Sequence, residues 1–170
     1  MNSWPELDYH QLKLTLETMQ LWTQIVGKIQ LRQMPWINHS WHVTLYVSAT
    51  GLSTGSVPYP RGIFQIDIDI IRNRLMIATS EGQTATVDLY PRSIASFYDE
   101  LMLKFGQLDI PVVIYPKPNE IADTTAFGED HAQRVYDSGQ MLNYWQALSF
   151  LQSTFDAAAR VSHLAAGSRM

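Results

Sequence analysis

Residues 64–90 read FQIDIDIIRNRLMIATSEGQTATVDLY, and the spacing inside them decides the fold. Phe64, Ile66, Ile68 and Ile70 alternate with Gln65, Asp67 and Asp69, the period of two that a pleated strand requires, so one face is apolar and the other is an acidic, wet face. Arg72-Asn73 is a turn into a second strand at residues 75–79, and Glu81-Gly82 is a tight turn into a third at residues 84–90. Connections this short close antiparallel hairpins, because a parallel crossover takes a dozen residues or more. An antiparallel meander therefore lies at the centre of the chain.

Upstream, Trp4-Pro5 is an extended dipeptide. Leu12, Leu16, Met19, Trp22, Val26 and Ile29 then recur at spacings of three and four, which predicts a helix capped by Asp8 and running to about Met34, where Pro35 stops it. Leu14, Leu21 and Ile25 widen the stripe, so the helix is expected to be covered on more than one side. Gly27 inside it costs about 1 kcal/mol relative to alanine. Either a neighbouring element approaches closely there or the glycine is merely tolerated.

Residues 36–50, WINHSWHVTLYVSAT, hold two tryptophans, two histidines and an asparagine before alternation sets in. From Trp41 onward, Val43, Leu45, Val47 and Ala49 share a core face, and His42, Thr44, Tyr46 and Ser48 a polar one. A hydroxyl- and proline-rich loop, GLSTGSVPYPRG at residues 51–62, is expected to end that strand.

Downstream, Pro91-Arg92-Ser93 opens a second helix with the stripe Ile94, Phe97, Tyr98, Leu101 and Phe105, and Gly106 is its candidate C-terminal cap. Residues 112–115 form a short final strand. Residues 116–137 are irregular, and a loop of that length suggests a functional cover or a mobile segment. A third helix starts near Ser138 with the stripe Met141, Trp145, Leu148, Leu151 and Phe155, its register continuing to Leu164 before Gly167. Residues 1–170 thus read as a single α+β domain, an antiparallel sheet of about five strands against two or three helices.

Composition bounds the function. At 170 residues and 46% hydrophobic, folding should bury roughly 70% of the unfolded surface. The net charge of −4, with no run of Lys or Arg, offers no footprint for nucleic acid or an anionic membrane. The absence of cysteine removes disulfides, thiolate nucleophiles and Cys-bound zinc, and agrees with a reducing compartment. With no basic and apolar leader and no long apolar run, a soluble cytoplasmic protein is the expectation.

Several patterns carry chemistry. Residues 51–55, GLSTG, match the G-x-S-x-G of a hydrolase nucleophile elbow, but Val57-Pro58-Tyr59-Pro60 forbids the helix that must follow, and the sheet is antiparallel. The same loop lacks the lysine of a phosphate-binding loop. His39 and His42 are candidate metal ligands or proton carriers, with His131 as a third imidazole and Glu120, Glu129, Asp130, Asp67 and Asp69 as possible oxygen partners. Residues three apart point to opposite faces of a strand, so a shared ion would need His39 in the preceding turn, and a structural histidine is the commoner case. Asp67 and Asp69 otherwise read as a wet strand face, and Glu129-Asp130 as loop charge. Trp36, Asn38, His39, Trp41, His42 and Tyr46, with Glu120 and Tyr59 nearby, have the composition of a pocket: apolar walls and a few convergent polar groups. Core packing of the tryptophans is the bland alternative.

WPELDYHQLKLTLETMQLWTQIVGKIQL at residues 4–31, NHSWHVTLYVSATGLSTGSVPYP at 38–60, PRSIASFYDELM at 91–102 and PKPNEIADTTAFGEDHAQRVYD at 116–137 together resemble a widespread bacterial family of uncharacterised proteins, a domain of unknown function. The resemblance covers about residues 4–156. It implies no established activity, cofactor or catalytic residue. It does imply that LWTQIVGKI and NHSWHV belong together, and that members run longer, so that this chain resembles their N-terminal half.

Three functions are open at this stage. The leading one is binding of a small molecule in the His/Trp/Asn-lined pocket beneath residues 116–137. Were a reaction performed there, His42 would be its acid/base and Glu120 a partner, as in a metal-dependent hydrolase or lyase; no dinucleotide fingerprint is present and no cofactor is indicated. The rival is an interaction protein, a homodimer or a complex in which a partner chain covers the third helix.

Overall fold

The structure is a computed structural model, and it describes residues 4–35 and 43–167. Its elements in chain order are α1 (Tyr9–Gln33), β1 (Tyr46–Val47), β2 (Gly51–Ser53), β3 (Val57–Tyr59), β4 (Gly62–Asp69), β5 (Arg74–Thr79), β6 (Thr84–Asp88), α2 (Ile94–Gln107), a 3-10 turn (Phe127–Glu129) and α3 (Ser138–Gly167). The α+β reading is borne out, with six antiparallel strands in place of about five. No helix among the described residues is long and apolar enough to cross a membrane.

The meander forms as its periodicity predicts. Ile68 pairs with Leu75 and Leu75 with Val87, while Ile66 pairs with Ile77 and Ile77 with Ala85, so directly opposed residues build apolar rows on one face. Ile66, Ile68, Leu75, Ile77 and Val87 are buried to 2% exposure or less. The acidic face needs one correction: Asp69 is buried, accepting the Arg72 N–H at 3.0 Å and an Arg72 guanidinium N–H at 3.0 Å, so it ties the β4–β5 turn. Asn73 closes that turn at φ 50°, a left-handed position that asparagine tolerates.

Residues 51–62 are not a loop. They give β2 and β3, which lie end to end along one margin of β4: Ser53 pairs with Asp67, and Val57 with Phe64. Thr54 bridges the break. Its N–H donates to the Ile66 carbonyl and its hydroxyl accepts the Ile66 N–H, both at 3.0 Å, while Gly55 turns left-handed at φ 64°. Pro58 fits because β3 has a neighbour on one side only. The strand expected from Trp41 to Ala49 contracts, within the described residues, to Tyr46–Val47, because the chain reverses at residues 48–50 and pairs β1 with β2.

Helix α1 begins at the expected cap, with the Asp8 carboxylate accepting the His10 N–H at 2.9 Å, and ends as the Met34 N–H meets the Gln30 carbonyl. It contacts α2, α3 and β3, which is the cover on several sides that its wide stripe implied; Leu14, however, is exposed. Among the described residues nothing approaches Gly27 closely, since a Cβ placed there meets none of them within 4 Å. Helix α2 is capped by Ser93, whose hydroxyl accepts the Ser96 N–H. Its far end is set by Asp109 at φ 54°, and Gly106 lies inside the helix.

Two further expectations fail. Residues 112–115 form no strand: the Pro111 carbonyl accepts from Gln33 and the Pro116 carbonyl from the Phe127 N–H, and only Ile114 of this run is buried. Residues 116–137 are irregular as expected but anchored. Phe127, Asp130 and Tyr136 are buried, Thr18 donates to the Val135 carbonyl, and the Asp137 N–H donates to Thr15. Asp130 is thus more than loop charge: it pairs with Arg134, and its carbonyl accepts the Ala95 N–H at the start of α2.

Candidate functional site

One face of α1 is not packed on the core. Glu17, Gln20, Gln24, Lys28 and Leu31 recur at spacings of three and four along it, and residues 118–125 run beside them. Two cavities of about 400 Å³ each open between helix and segment, and Gln20 and Glu120 line both. The first has the apolar walls Leu21, Ile121 and Phe127 with the carboxylates of Glu17, Glu120 and Asp123. The second is lined by Thr23, Gln24, Gly27, Lys28, Val43 and Asn119 in addition.

A clamp joins the two sides. The Gln24 amide donates to the Asn119 carbonyl at 2.9 Å and accepts the Asn119 N–H at 2.8 Å, a pairing that mimics two residues of a ladder. Lys28 Nζ donates to Asn119 Oδ1 at 3.2 Å and sits 5.2 Å from the centre of the Tyr115 ring. The next residue, Glu120, is then held at φ 59°. Glutamate gains nothing there that glycine or asparagine would, and such a conformation costs roughly 1–3 kcal/mol.

The charges in the cleft are unevenly satisfied. Lys28 is 8% exposed, and burial pushes its ammonium below the usual lysine range. It makes no ion pair among the described residues, whereas Arg134 pairs with Asp130 in the first cavity. Asp123 accepts the Thr125 N–H and hydroxyl, and these bonds hold its carboxyl below the ordinary aspartate value.

Of the residues singled out from the sequence, Glu120 lies at the junction of the two cavities. Trp36, Asn38, His39, Trp41 and His42 lie outside the described residues, although Val43, which follows them, lines the second cavity. Tyr46 stands on β1, more than half exposed, and lines neither cavity; Tyr59 is buried against Phe64 and reaches Glu81. His131 is exposed, and among the described residues no three His, Cys, Asp or Glu converge as a metal site would require. The GLSTG run lies in β2 and the bridge to β3, with no helix after it. Gln24, Lys28 and Asn119 are not singled out by the sequence, and Gly27 only as a possible close approach. Their one local signal is a glycine beside a lone charge in LWTQIVGKI, the most apolar stretch of α1.

A third cavity, of about 360 Å³, separates α1 from α3 and β2 and is lined chiefly by Leu16, Met19, Leu52, Met141 and Leu148. Its polar contacts are few, and the Trp145 indole beyond it is already spent on the Gly51 carbonyl at 3.1 Å.

Fold and cleft define an α+β protein whose open antiparallel sheet is covered by helices and whose longest irregular segment is pinned to α1. The chain belongs to the family of unknown function DUF5996, matched over residues 4–163. No curated protein and no solved structure matches it.

Proposed function

We propose that this protein binds a small polar molecule in the cleft between α1 and residues 118–125. The observation that carries this reading is Gly27. A glycine in the middle of a long helix is unfavourable, no neighbour among the described residues requires its small size, and it lines the cavity that Lys28, Asn119 and Glu120 share. Apolar walls with a few converging polar groups are the usual make-up of a ligand site. Trp36, Asn38, His39, Trp41 and His42 remain candidates for the same site.

Gly27 also supplies the test. Gly27→Ala is expected to raise stability by about 1 kcal/mol through helix propensity alone, read by urea denaturation. Gly27→Trp is expected to fold as well as the native chain yet to abolish the thermal shift given by any binder from a panel of small polar metabolites. A binder unaffected by Gly27→Trp places the site elsewhere.

A second reading concerns α3. Its first turns pack, with Met141 and Ala147 buried, but every residue from 150 to 160 is exposed, Phe150, Leu151 and Phe155 among them. We propose that a second copy of the chain covers this part of the helix, a two-fold contact being the simplest closed arrangement. Light scattering should then give twice the 19.4 kDa of one chain, reverting to one chain in Phe155→Glu. Leu148 is the poorer probe because it lines the cavity against α1. A single-chain mass in the native protein would remove this reading.

A further inference from the structure

Lys28 and Glu120 line one cavity from opposite elements, α1 and the segment pinned to it. In a small space, an ammonium and a carboxylate of the same protein ordinarily find each other. Here they do not: the amine donates to Asn119 and lies near the Tyr115 ring, and Lys28 forms no ion pair with any carboxylate among the described residues. The backbone that carries Glu120 is set from its neighbour, because Asn119 is held by both ends of the Gln24 amide and Glu120 follows, exposed, in a left-handed backbone conformation. Two opposite charges thus line one cavity without pairing with each other, and the backbone at one of them is left-handed.

Resting on the cleft reading, we infer that the ligand is a zwitterion, a small molecule carrying both a carboxylate and an ammonium group as amino acids do, its carboxylate bound by Lys28 and its ammonium by Glu120. Such a ligand completes each charge without a net change inside the cavity. A purely anionic ligand would answer Lys28 and face Glu120 unfavourably, and a purely cationic one would do the reverse. Neighbouring groups agree with this polarity. Glu17 and Asp123 add negative charge on the Glu120 side, in the first cavity, where Arg134 is paired with Asp130, and apart from Glu120 the other lining residues around Lys28 are uncharged. Gln20, which lines both cavities, offers an amide able to donate or accept at either end. Gly27 leaves room beside Lys28 for the rest of the molecule.

Isothermal titration with the standard amino acids tests this directly. At least one is expected to bind at millimolar concentration or tighter. Its decarboxylated amine and its deaminated acid should each bind about tenfold more weakly or worse, a charge-assisted contact being lost in each case. Lys28→Met and Glu120→Gln should each give a similar loss. Lys28→Met removes a charge that burial penalises, and Glu120→Gln keeps shape and size, so both are expected to melt no lower than the native chain. If no amino acid binds, if the singly charged analogues bind equally well, or if both variants keep the native affinity, the inference fails. A singly charged metabolite excluded by Gly27→Trp would overturn it while leaving the cleft reading in place, whereas binding untouched by Gly27→Trp would end both.

Discussion

Trp22→Ala is expected to destabilise the protein by about 3–5 kcal/mol, the range for emptying a large aromatic site in a core. The indole is 1% exposed, stacked on Phe97 with centroids 4.9 Å apart and tilted against Tyr136 at 5.3 Å. It therefore joins α1 to α2 and to the end of the irregular segment. Against a typical total of roughly 5–15 kcal/mol, that is a large share. Trp22→Phe should cost far less, because the indole N–H is buried without a partner among the described residues and phenylalanine removes that unanswered donor. Urea titration of both variants reads the difference. A loss below about 1 kcal/mol for the alanine variant would mean that the stack is not central to the core.

Gly51→Ala has an equally severe expected result for a different reason. A Cβ on residue 51 would overlap the Ile68 carbonyl oxygen and lie 3.0 Å from the Ile70 nitrogen, both backbone atoms of or beside β4. No rotamer change relieves such a collision; the strands must part. The same residue accepts hydrogen bonds from the Ser48 N–H at 2.8 Å and from the Trp145 indole at 3.1 Å, so displacing it also loosens β1 and α3. The cost should exceed the roughly 1–3 kcal/mol of ordinary overpacking, lowering the melting temperature on the order of 10 °C for a chain of this size. A melting temperature within about 2 °C of the native value would show that β2 can shift freely along β4.

What the sequence discloses about this fold follows from where the determining interactions lie. The meander is legible because alternation within Phe64–Tyr90 acts between neighbouring strands joined by turns of a few residues. Both α1 and α2 are legible for the same local reason, down to the caps Asp8 and Ser93. The strands at residues 51–59 escape because glycines and Pro58, ordinarily signs of a loop, suit a broken strand on the margin of β4. Val112-Val113-Ile114-Tyr115 misleads in the opposite direction: its side chains favour a strand, but no strand margin reaches it. The cleft is legible least of all. Gln24 and Asn119 are 95 positions apart, and nothing local marks either as the partner of the other. Glu120 could be named from the sequence, but only as one carboxylate in a long loop.

On the proposed cleft reading, the clamp at Asn119 governs how a ligand would get in. Residues 119–125 touch α1 through hydrogen bonds gathered on the backbone and side chain of Asn119, with Ile121 partly buried against the core, while the buried residues of the segment, Pro118, Phe127 and Tyr136, lie on either side. Regions tied by few contacts open at a fraction of the global unfolding free energy. This stretch can thus peel from the helix while sheet and core stay closed. Amide hydrogens at 119–125 would then exchange faster than those of β4 and β5, and on the proposed reading the rate of that opening would bound how quickly a guest held beneath the segment could leave.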